Sequence, residues 1–223
     1  MRKIYTFVSI GLIVVLSARI NAQSFVEEFE DVTLLIGNGW DTINASAPIG
    51  TVGWFQGSAS AFTAHSMTGY IGANFNNTAA TGTTNIISNW LMAPLRTLRN
   101  GDVIIFYARS FNGFADRLQV RLSQSGTSTN MGGTATSTGD FSTLLLDINP
   151  TYNLTAFPNV WTKHTLTLSG LPGSGVSGRF AFRYFVENGG SQGANSDYIG
   201  IDSLAYTAIP ASVEEHTNSS IFS

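Results

Sequence analysis

Carboxylates in the first and last predicted strands are the side chains that could bind a metal ion. Glu28 and Glu30 lie in the first strand pattern, and Asp202 lies inside the apolar stretch of the last one. Calcium takes about six to eight hard oxygen ligands, so these groups, completed by Asp197 or a backbone carbonyl, predict a structural calcium site. Two alternatives stay open. The glutamates could form a solvated strand edge, and backbone amides could cap Asp202.

The last predicted strand changes its apolar phase at this aspartate. Ile199 and Ile201 share one face by the two-residue period of a strand, whereas Leu204 and Tyr206 share the other. The phase switches around Asp202, as the extra residue of a β-bulge would cause. The pattern therefore predicts a bulge with a carboxylate at its centre.

Residues 189–193 match the Gly-x-Ser-x-Gly pattern of serine hydrolases, but their predicted flanks argue against a nucleophile. Two aspartates and His216 follow in the chain order of a catalytic triad. The pattern works on a strand-to-helix turn, and here a strand is predicted on each side, which favours a flexible loop. His164 shares a face with leucines and is expected to be half-buried and hydrogen-bonded, while His65 stands alone. No acidic pair has the spacing of a glycoside hydrolase, so the sequence predicts no enzyme.

Aromatic residues in short, loop-rich segments are candidates for ligand binding. Trp54, Phe55 and Tyr70 could stack on sugar rings or anchor a protein partner, because flat rings give a large contact area at low entropic cost. The alternative is that tryptophans 40, 54 and 90 cap the core of the domain. The sequence leaves both open.

The composition is that of a turn-rich extracellular β-protein. Of 223 residues, 43% are hydrophobic, only 11% are charged, and 23 are glycine. A net charge of -3 provides no basic surface, so nucleic acid is not expected as a partner. The absence of cysteine excludes disulfides, thiolate metal sites and cysteine nucleophiles.

The N-terminus has the features of a secretion signal. Arg2 and Lys3 precede an apolar run that ends at Leu16, and small residues follow up to Ala22. The run is shorter than the ~20 residues that span a bilayer, so we expect cleavage after Ala22 and no stable membrane insertion. The prediction is a signal peptide over 1–22, one domain over 23–208 and a polar linker or tail over 209–223. The mature protein is then secreted or held at the cell surface.

Short strand patterns separated by turn residues continue to about residue 207. Residues 102–109 are apolar on both faces and predict a central strand, whereas residues 117–122 alternate and predict a strand with one wet face. No long amphipathic helix pattern interrupts the series. The sequence therefore predicts an all-β fold, a two-sheet antiparallel sandwich with jelly-roll topology.

Several stretches, taken in order, resemble the choice-of-anchor J domain family. They are residues 88–94 (SNWLMAP), 100–107, 116–123 (DRLQVRLS), 139–150 and 198–202 (YIGID). The resemblance covers nearly all of residues 25–207. It implies a relative of the cleaved adhesin modules of bacterial surface proteases, which are calcium-binding jelly-roll sandwiches. It further implies an exported bacterial binding module.

The same resemblance has implications for calcium and for attachment. Phe29-Glu30 and Ile201-Asp202 stand at positions similar to the calcium-binding strands of those modules, while Ser203 stands where relatives often have a second aspartate. Members are attached to cell surfaces by varied C-terminal signals, and none is recognisable before Ser223. Truncation before a sorting domain and a simply secreted member are the alternatives.

Two functions from different classes follow from the sequence. The first is an adhesion or binding module for an extracellular protein or polysaccharide, stabilised by calcium. The second is an accessory passenger domain with no ligand of its own.

Overall fold

The computed structural model describes residues 24–111 and 113–210, which form two packed antiparallel sheets. The predicted signal peptide and residues 211–223 of the predicted tail lie outside the described residues. The strands in chain order are β1 (Phe25–Glu27), β2 (Asp41–Asn44), β3 (Phe55–Gln56), β4 (Ile71–Asn74), β5 (Asn85–Met92), β6 (Arg96–Leu98), β7 (Val103–Ser110), β8 (Leu118–Ser123), β9 (Thr143–Ile148), β10 (Thr162–Thr167), β11 (Val176–Gly189) and β12 (Tyr198–Thr207). Within these residues the helical segments are short 3₁₀ turns at Val32–Leu34, Ile36–Asn38 and Phe75–Asn77. None has the length and apolarity needed to cross a membrane.

The strands divide between the two sheets in a jelly-roll arrangement. The first sheet has the order β10-β7-β12-β4-β3, with β1 also paired to β12. The second has the order β2-β5-β11-β8-β9, with β6 also paired to β11. Neighbours in a sheet are mostly distant in the chain, as jelly-roll connections require. The predicted all-β sandwich is confirmed, and residues 102–109 do form an interior strand.

The core lies between the sheets and is built from alternate side chains of each strand. Every second residue of β7 is buried, as the two-residue period demands. Phe106 on β7 meets Phe182 on β11 edge to face, with ring centroids 4.9 Å apart. Trp40 also lies in this core and is 2% exposed. For Trp40, the structure thus favours the core alternative over ligand binding.

The outer face of the second sheet is covered by the loop over residues 124–142. Trp90 is fully buried there against Phe141, with ring centroids 5.4 Å apart. The Arg183 guanidinium lies over the Trp90 ring and donates to the carbonyl of Ala135 in the loop. The loop therefore gives the second sheet a buried outer layer.

Strand β12 contains the predicted bulge. Its register with β7 shifts just after Asp202, and Ser203 adopts a positive φ of 49°. The extra residue puts four apolar side chains into the same core, namely Ile199, Ile201, Leu204 and Tyr206. One edge of β12 then pairs with β4 through its first half and with β1 through its second half.

Candidate ligand-binding site

Four connections meet at one end of the sandwich, which we call the loop end. Their described residues are 75–84, 111 with 113–117, 149–161 and 190–197, which follow β4, β7, β9 and β11. Backbone hydrogen bonds join the first, second and fourth, and the Asn149 side-chain amide in the third donates to Asp116 O at 2.8 Å. The Ser196 amide donates to Ala115 O at 3.0 Å, and the Phe75 amide donates to Asp197 O at 2.9 Å. The loops are thus held to one another rather than projecting separately.

A cleft of about 200 Å³, the Asp197 cleft, opens at the loop end. Its lining consists of Phe75, Phe114, Gly190, Ser191, Gly193, Ser196 and Asp197. Ser196 has a positive φ of 77°, and its hydroxyl accepts the Gly190 amide at 2.8 Å. This local turn carries the chain from β11 into β12 and sets Asp197 in the cleft.

The Asp197 carboxylate is the chemically distinctive group of this cleft. Asp197 is half-buried, and desolvation raises the pKa of its carboxyl. None of the described residues lowers that pKa through a hydrogen bond. The Asp197 carbonyl accepts the Phe75 amide and the Asp197 amide donates to Asp116, whereas its carboxylate has no hydrogen-bond partner in the described part of the chain.

A second carboxyl, that of Asp116, lies directly beside it and is 1% exposed. Its Oδ1 accepts the Tyr184 hydroxyl and, at 2.9 Å, the Asp197 amide. Burial raises its pKa to about 7, and the charge of Asp197 adds to the rise. The Tyr198 amide also lowers the pKa of this carboxyl, although among the described residues Oδ2 makes no hydrogen bond of good geometry.

A neighbouring cleft of about 250 Å³, the Phe111 cleft, shares the loop end. Phe111 and Leu154 lie on its rim, and Phe157 and Pro158 lie deeper. Phe111 is 42% exposed and Leu154 is 69% exposed, while Phe114 of the Asp197 cleft is 49% exposed. Large apolar side chains are thus presented to solvent around both clefts.

The predicted aromatic ligand-binding residues lie away from the loop-end clefts, and two of them, Phe55 and Tyr70, are on the outer face of the first sheet. The loop over residues 57–69 folds across that face and inserts Phe62, which stacks on Tyr70 with centroids 4.9 Å apart. Tyr70 is consequently 1% exposed, and its hydroxyl donates to Ser58 O at 2.7 Å. This differs from the predicted exposure of Tyr70, because the loop supplies a cover that the strand pattern does not reveal.

Trp54 and Phe55 are only partly buried beside this aromatic layer. Phe55 contacts Tyr198 edge to face at 5.6 Å between centroids, and Trp54 packs against the main core. Their role in ligand binding stays a prediction. The geometry of Trp54 favours the alternative in which it caps the core.

Asp202, the carboxylate at the bulge, is capped by backbone amides. Its Oδ2 accepts the amides of His65 at 2.8 Å and Ser66 at 3.1 Å, and its Oδ1 accepts the Ser203 amide at 2.6 Å. Burial raises the pKa of the carboxyl, while the three amides oppose the rise. Asp202 therefore ties the loop over residues 57–69 to the last strand.

The four predicted calcium ligands do not meet at one point. Glu28 is near Asp202, because the Ser203 hydroxyl donates to its Oε2 at 3.0 Å. Glu30 instead accepts the amides of Thr68 and Gly69, and hydrogen bonding to Thr68 lowers its pKa.

Asp197 is five residues before Asp202 in the chain, roughly 16 Å away in an extended strand. Within residues 24–111 and 113–210, no group of three or more histidine, cysteine, aspartate or glutamate residues is placed to hold a metal. The neighbouring pair Glu28 and Asp202 is the part of the predicted set that the fold brings together.

The hydrolase-like segment forms a loop, as predicted, and lacks a nucleophile elbow. Turns rather than a helix follow Gly189, and the exposed Ser191 hydroxyl donates to Ala80 O at 3.1 Å. His164 is half-buried and stacks on Phe106, and burial lowers its pKa. Its Nε2 has no hydrogen-bond partner among the described residues, contrary to the expected hydrogen bond. His65 stacks on the Tyr107 ring.

The sequence reasoning did not single out Asp116, Phe111 or Phe114. The signal available was local: two phenylalanines and an aspartate in the turn between two strong strand patterns. Asp116 and Asp197 are 81 residues apart, so their contact depends on the sandwich topology.

Comparison with solved structures supports the fold. The K1 cleaved adhesin domain of Lys-gingipain from Porphyromonas gingivalis is 20% identical with a TM-score of 0.54, over 84% of this chain and 99% of that one. The K2 cleaved adhesin domain of Lys-gingipain is 24% identical with a TM-score of 0.54, over 82% of this chain and 99% of that one. No protein-family model and no curated protein matches the chain. Membership of the choice-of-anchor J family stays a prediction, and the chain has the sandwich fold seen in cleaved adhesin domains.

Proposed function

We propose that this protein is a non-catalytic binding module, secreted or displayed at the cell surface, that recognises an extracellular protein or polysaccharide through its loop end. The observation that carries the proposal is the exposure of Phe111, Phe114 and Leu154 around two adjoining clefts. Apolar side chains clustered on a surface and rimmed by polar groups commonly mark an interaction site.

The way the loops are anchored supports this role. The interloop hydrogen bonds fix the backbone on which the apolar side chains stand, so little conformational entropy is lost when a partner binds. By contrast, the aromatic residues of the first sheet are engaged with their own covering loop. The similar gingipain structures are named as adhesin domains, which is consistent with a binding role.

A pair of matched double variants tests the proposal. Phe111→Ser with Phe114→Ser removes apolar surface at the loop end, whereas Leu34→Ser with Ile36→Ser removes side chains that are 59% exposed elsewhere. Purified proteins are applied to glycan arrays and to panels of extracellular proteins. We expect the wild type and the control to bind one ligand equally and the loop-end variant to bind at least about tenfold more weakly. Equal binding by both variants would place recognition away from the loop end and contradict the proposal, and no ligand in either assay would favour the passenger alternative.

Calcium stabilisation is a separate proposal, supported by the proximity of Glu28 and Asp202. Both carboxylates already accept hydrogen bonds from protein donors, so an ion would have to share their remaining lone pairs. The melting temperature measured with calcium and with a chelator tests it. A higher value with calcium is expected, and identical values would remove the proposal.

Export by a cleaved signal is likewise a proposal, supported by the composition of residues 1–22. Mass spectrometry of the exported protein should show Gln23 as the first residue.

A further inference from the structure

Within residues 24–111 and 113–210, the carboxylate of the Asp197 cleft has no counter-ion. Asp197 lines the cleft, and Asp116 lies beside it and binds its amide. None of the ion pairs among the described residues includes either carboxyl, and no cation contributes to the pKa of either. A desolvated carboxylate without an opposite charge is unfavourable, so a ligand that brings a positive charge would offset the cost.

The carboxyl oxygens at this position also have unused hydrogen-bonding capacity. Among the described residues no hydrogen-bond donor lowers the pKa of Asp197, whose carboxylate lines the cleft, whereas the Asp116 carboxyl is buried behind it. An ionised carboxylate accepts through both oxygens and matches the planar fork of a guanidinium group or the three donors of an ammonium group.

The walls of the cleft suit a flat or compact cation. Phe75 and Phe114 both line it, and the Phe114 ring is half exposed. The face of an aromatic ring attracts a cation electrostatically. At Gly193 an added Cβ would lie 2.2 Å from the Asn188 carbonyl oxygen, so glycine is needed for the loop to close on itself here. The volume of about 200 Å³ is below the ~300 Å³ at which pockets for drug-sized ligands begin.

From these features we propose that the Asp197 cleft binds a cationic side chain, the guanidinium of arginine or the ammonium of lysine, presented by a partner protein. The inference rests on the proposed function, because it names the ligand chemistry of one loop-end cleft. A neutral sugar ring could contact Phe114, but its hydroxyls would leave the charge of the Asp197 carboxylate uncompensated. A protein partner is therefore favoured over a polysaccharide at this cleft.

An NMR titration of the full-length exported protein tests the inference at neutral pH and low salt, with EDTA present to remove metal ions. The probes are acetyl-Gly-Arg-Gly-amide, the isosteric citrulline peptide without the charge, and methyl glucopyranoside. We expect the arginine peptide to shift the amides of Gly190, Ser191 and Gly193 saturably, and the two neutral probes to leave them unchanged. Added salt should weaken the binding, since the cleft is partly exposed.

Two isosteric variants separate a local effect from a general effect of charge. Asp197→Asn should reduce the affinity for the arginine peptide at least about tenfold, because it removes the ionised partner. Asp31→Asn makes the same change in net charge on an exposed residue of the first 3₁₀ turn and should leave the affinity unchanged. An unchanged amide spectrum in the free Asp197→Asn protein shows that its fold is retained.

Three other results would contradict the inference, each for a different reason. Equal shifts with the citrulline peptide would show that charge is not recognised, and shifts with the glucoside alone would assign the cleft to a sugar. No shift with any probe would show that the cleft takes none of these groups. All three results leave the proposed function standing if the loop-end double variant still loses binding in the array experiments. If that variant binds normally while the arginine peptide titrates, the proposed function fails and the cleft assignment remains.

Discussion

Asp197 immediately precedes β12 and Asp202 lies within it, five residues later, yet the two carboxylates differ in the hydrogen-bond donors around them. Burial raises the pKa of both carboxyls. Asp202 is fully buried and accepts three backbone amides, whereas no hydrogen bond to the Asp197 carboxylate lowers its pKa. The number of donors, rather than burial alone, therefore separates a carboxylate that holds the fold together from one that is available to a ligand.

The largest effect is expected at Asp116, the carboxyl beneath Asp197. Its pKa of about 7 in the folded state lies above the value of about 3.9 for an unfolded chain. Between these values the folded protein holds a proton that the unfolded chain has lost, so stability falls as the pH rises through this window. The slope is at most ~1.4 kcal/mol per pH unit, or ~4 kcal/mol in all.

The measurement is the free energy of unfolding by urea at several pH values between 4 and 7. Asp116→Asn cannot titrate but can still accept the Tyr184 hydroxyl, so it should show a flatter profile. If the free energy of unfolding of the wild type changes with pH as little as that of Asp116→Asn, Asp116 is ionised over the whole range from pH 4 to 7. Asp116 and Asp197 would then both be charged.

Removal of the capped carboxylate should have the next largest effect. Asp202→Ala leaves the amides of His65, Ser66 and Ser203 without their acceptor, and we expect the free energy of unfolding to fall by ~3 kcal/mol. Asp202→Asn retains one oxygen acceptor and should lose less. Urea denaturation with calcium and with a chelator gives the decisive contrast: equal losses identify an amide cap, and a loss confined to the calcium sample identifies a metal ligand.

Glu30 extends the comparison to a surface carboxylate that has donors. Hydrogen bonds from Thr68 and Gly69 lower its pKa, so its contribution to stability is present above its unfolded pKa and is lost as the pH falls through the folded value. Glu30→Gln should lower the melting temperature slightly at neutral pH and not at all in strong acid. The same decrease at both pH values would mean that the charge plays no part.

The smallest effect on stability is expected at Asp197. Asp197→Asn removes a desolvated charge and breaks no hydrogen bond that lowers the carboxyl pKa, so the free energy of unfolding should change by less than ~0.5 kcal/mol. Urea denaturation at neutral pH measures it. A loss comparable to that of Asp202→Ala would make Asp197 a structural residue and remove the contrast between the two.

Much of the fold could be predicted from the sequence, because the strands with strong apolar alternation carry most of the core. The bulge at Asp202 was also predictable, since Ile199, Ile201, Leu204 and Tyr206 break the two-residue period there. Strands β2 and β6 were missed. Asp41–Asn44 has one large apolar residue in four, and Arg96–Leu98 resumes pairing just after Pro94, where the proline predicts an end.

The site was less predictable because its parts come from separate loops. The aspartates of the last strand were noticed, but the sequence could not show which one has donors, since the amides that cap Asp202 come from residues 65 and 66. Tyr70 was a candidate for ligand binding, because nothing in its own strand shows that Phe62 covers it. Contacts between distant loops depend on topology, which strand patterns alone do not specify.

The pairing of β1 with the second half of β12 places Ser24 and Ala208 at the same end of the sandwich. Phe25 pairs with Tyr206, and the Ser24 hydroxyl accepts the Ala208 amide at 2.9 Å, so the chain enters and leaves the sandwich side by side. Both points lie at the far end of β12 from Asp197, roughly 30 Å away along the strand. A polypeptide or a surface attached at that pole leaves the opposite pole facing outward, with both clefts open to the surroundings.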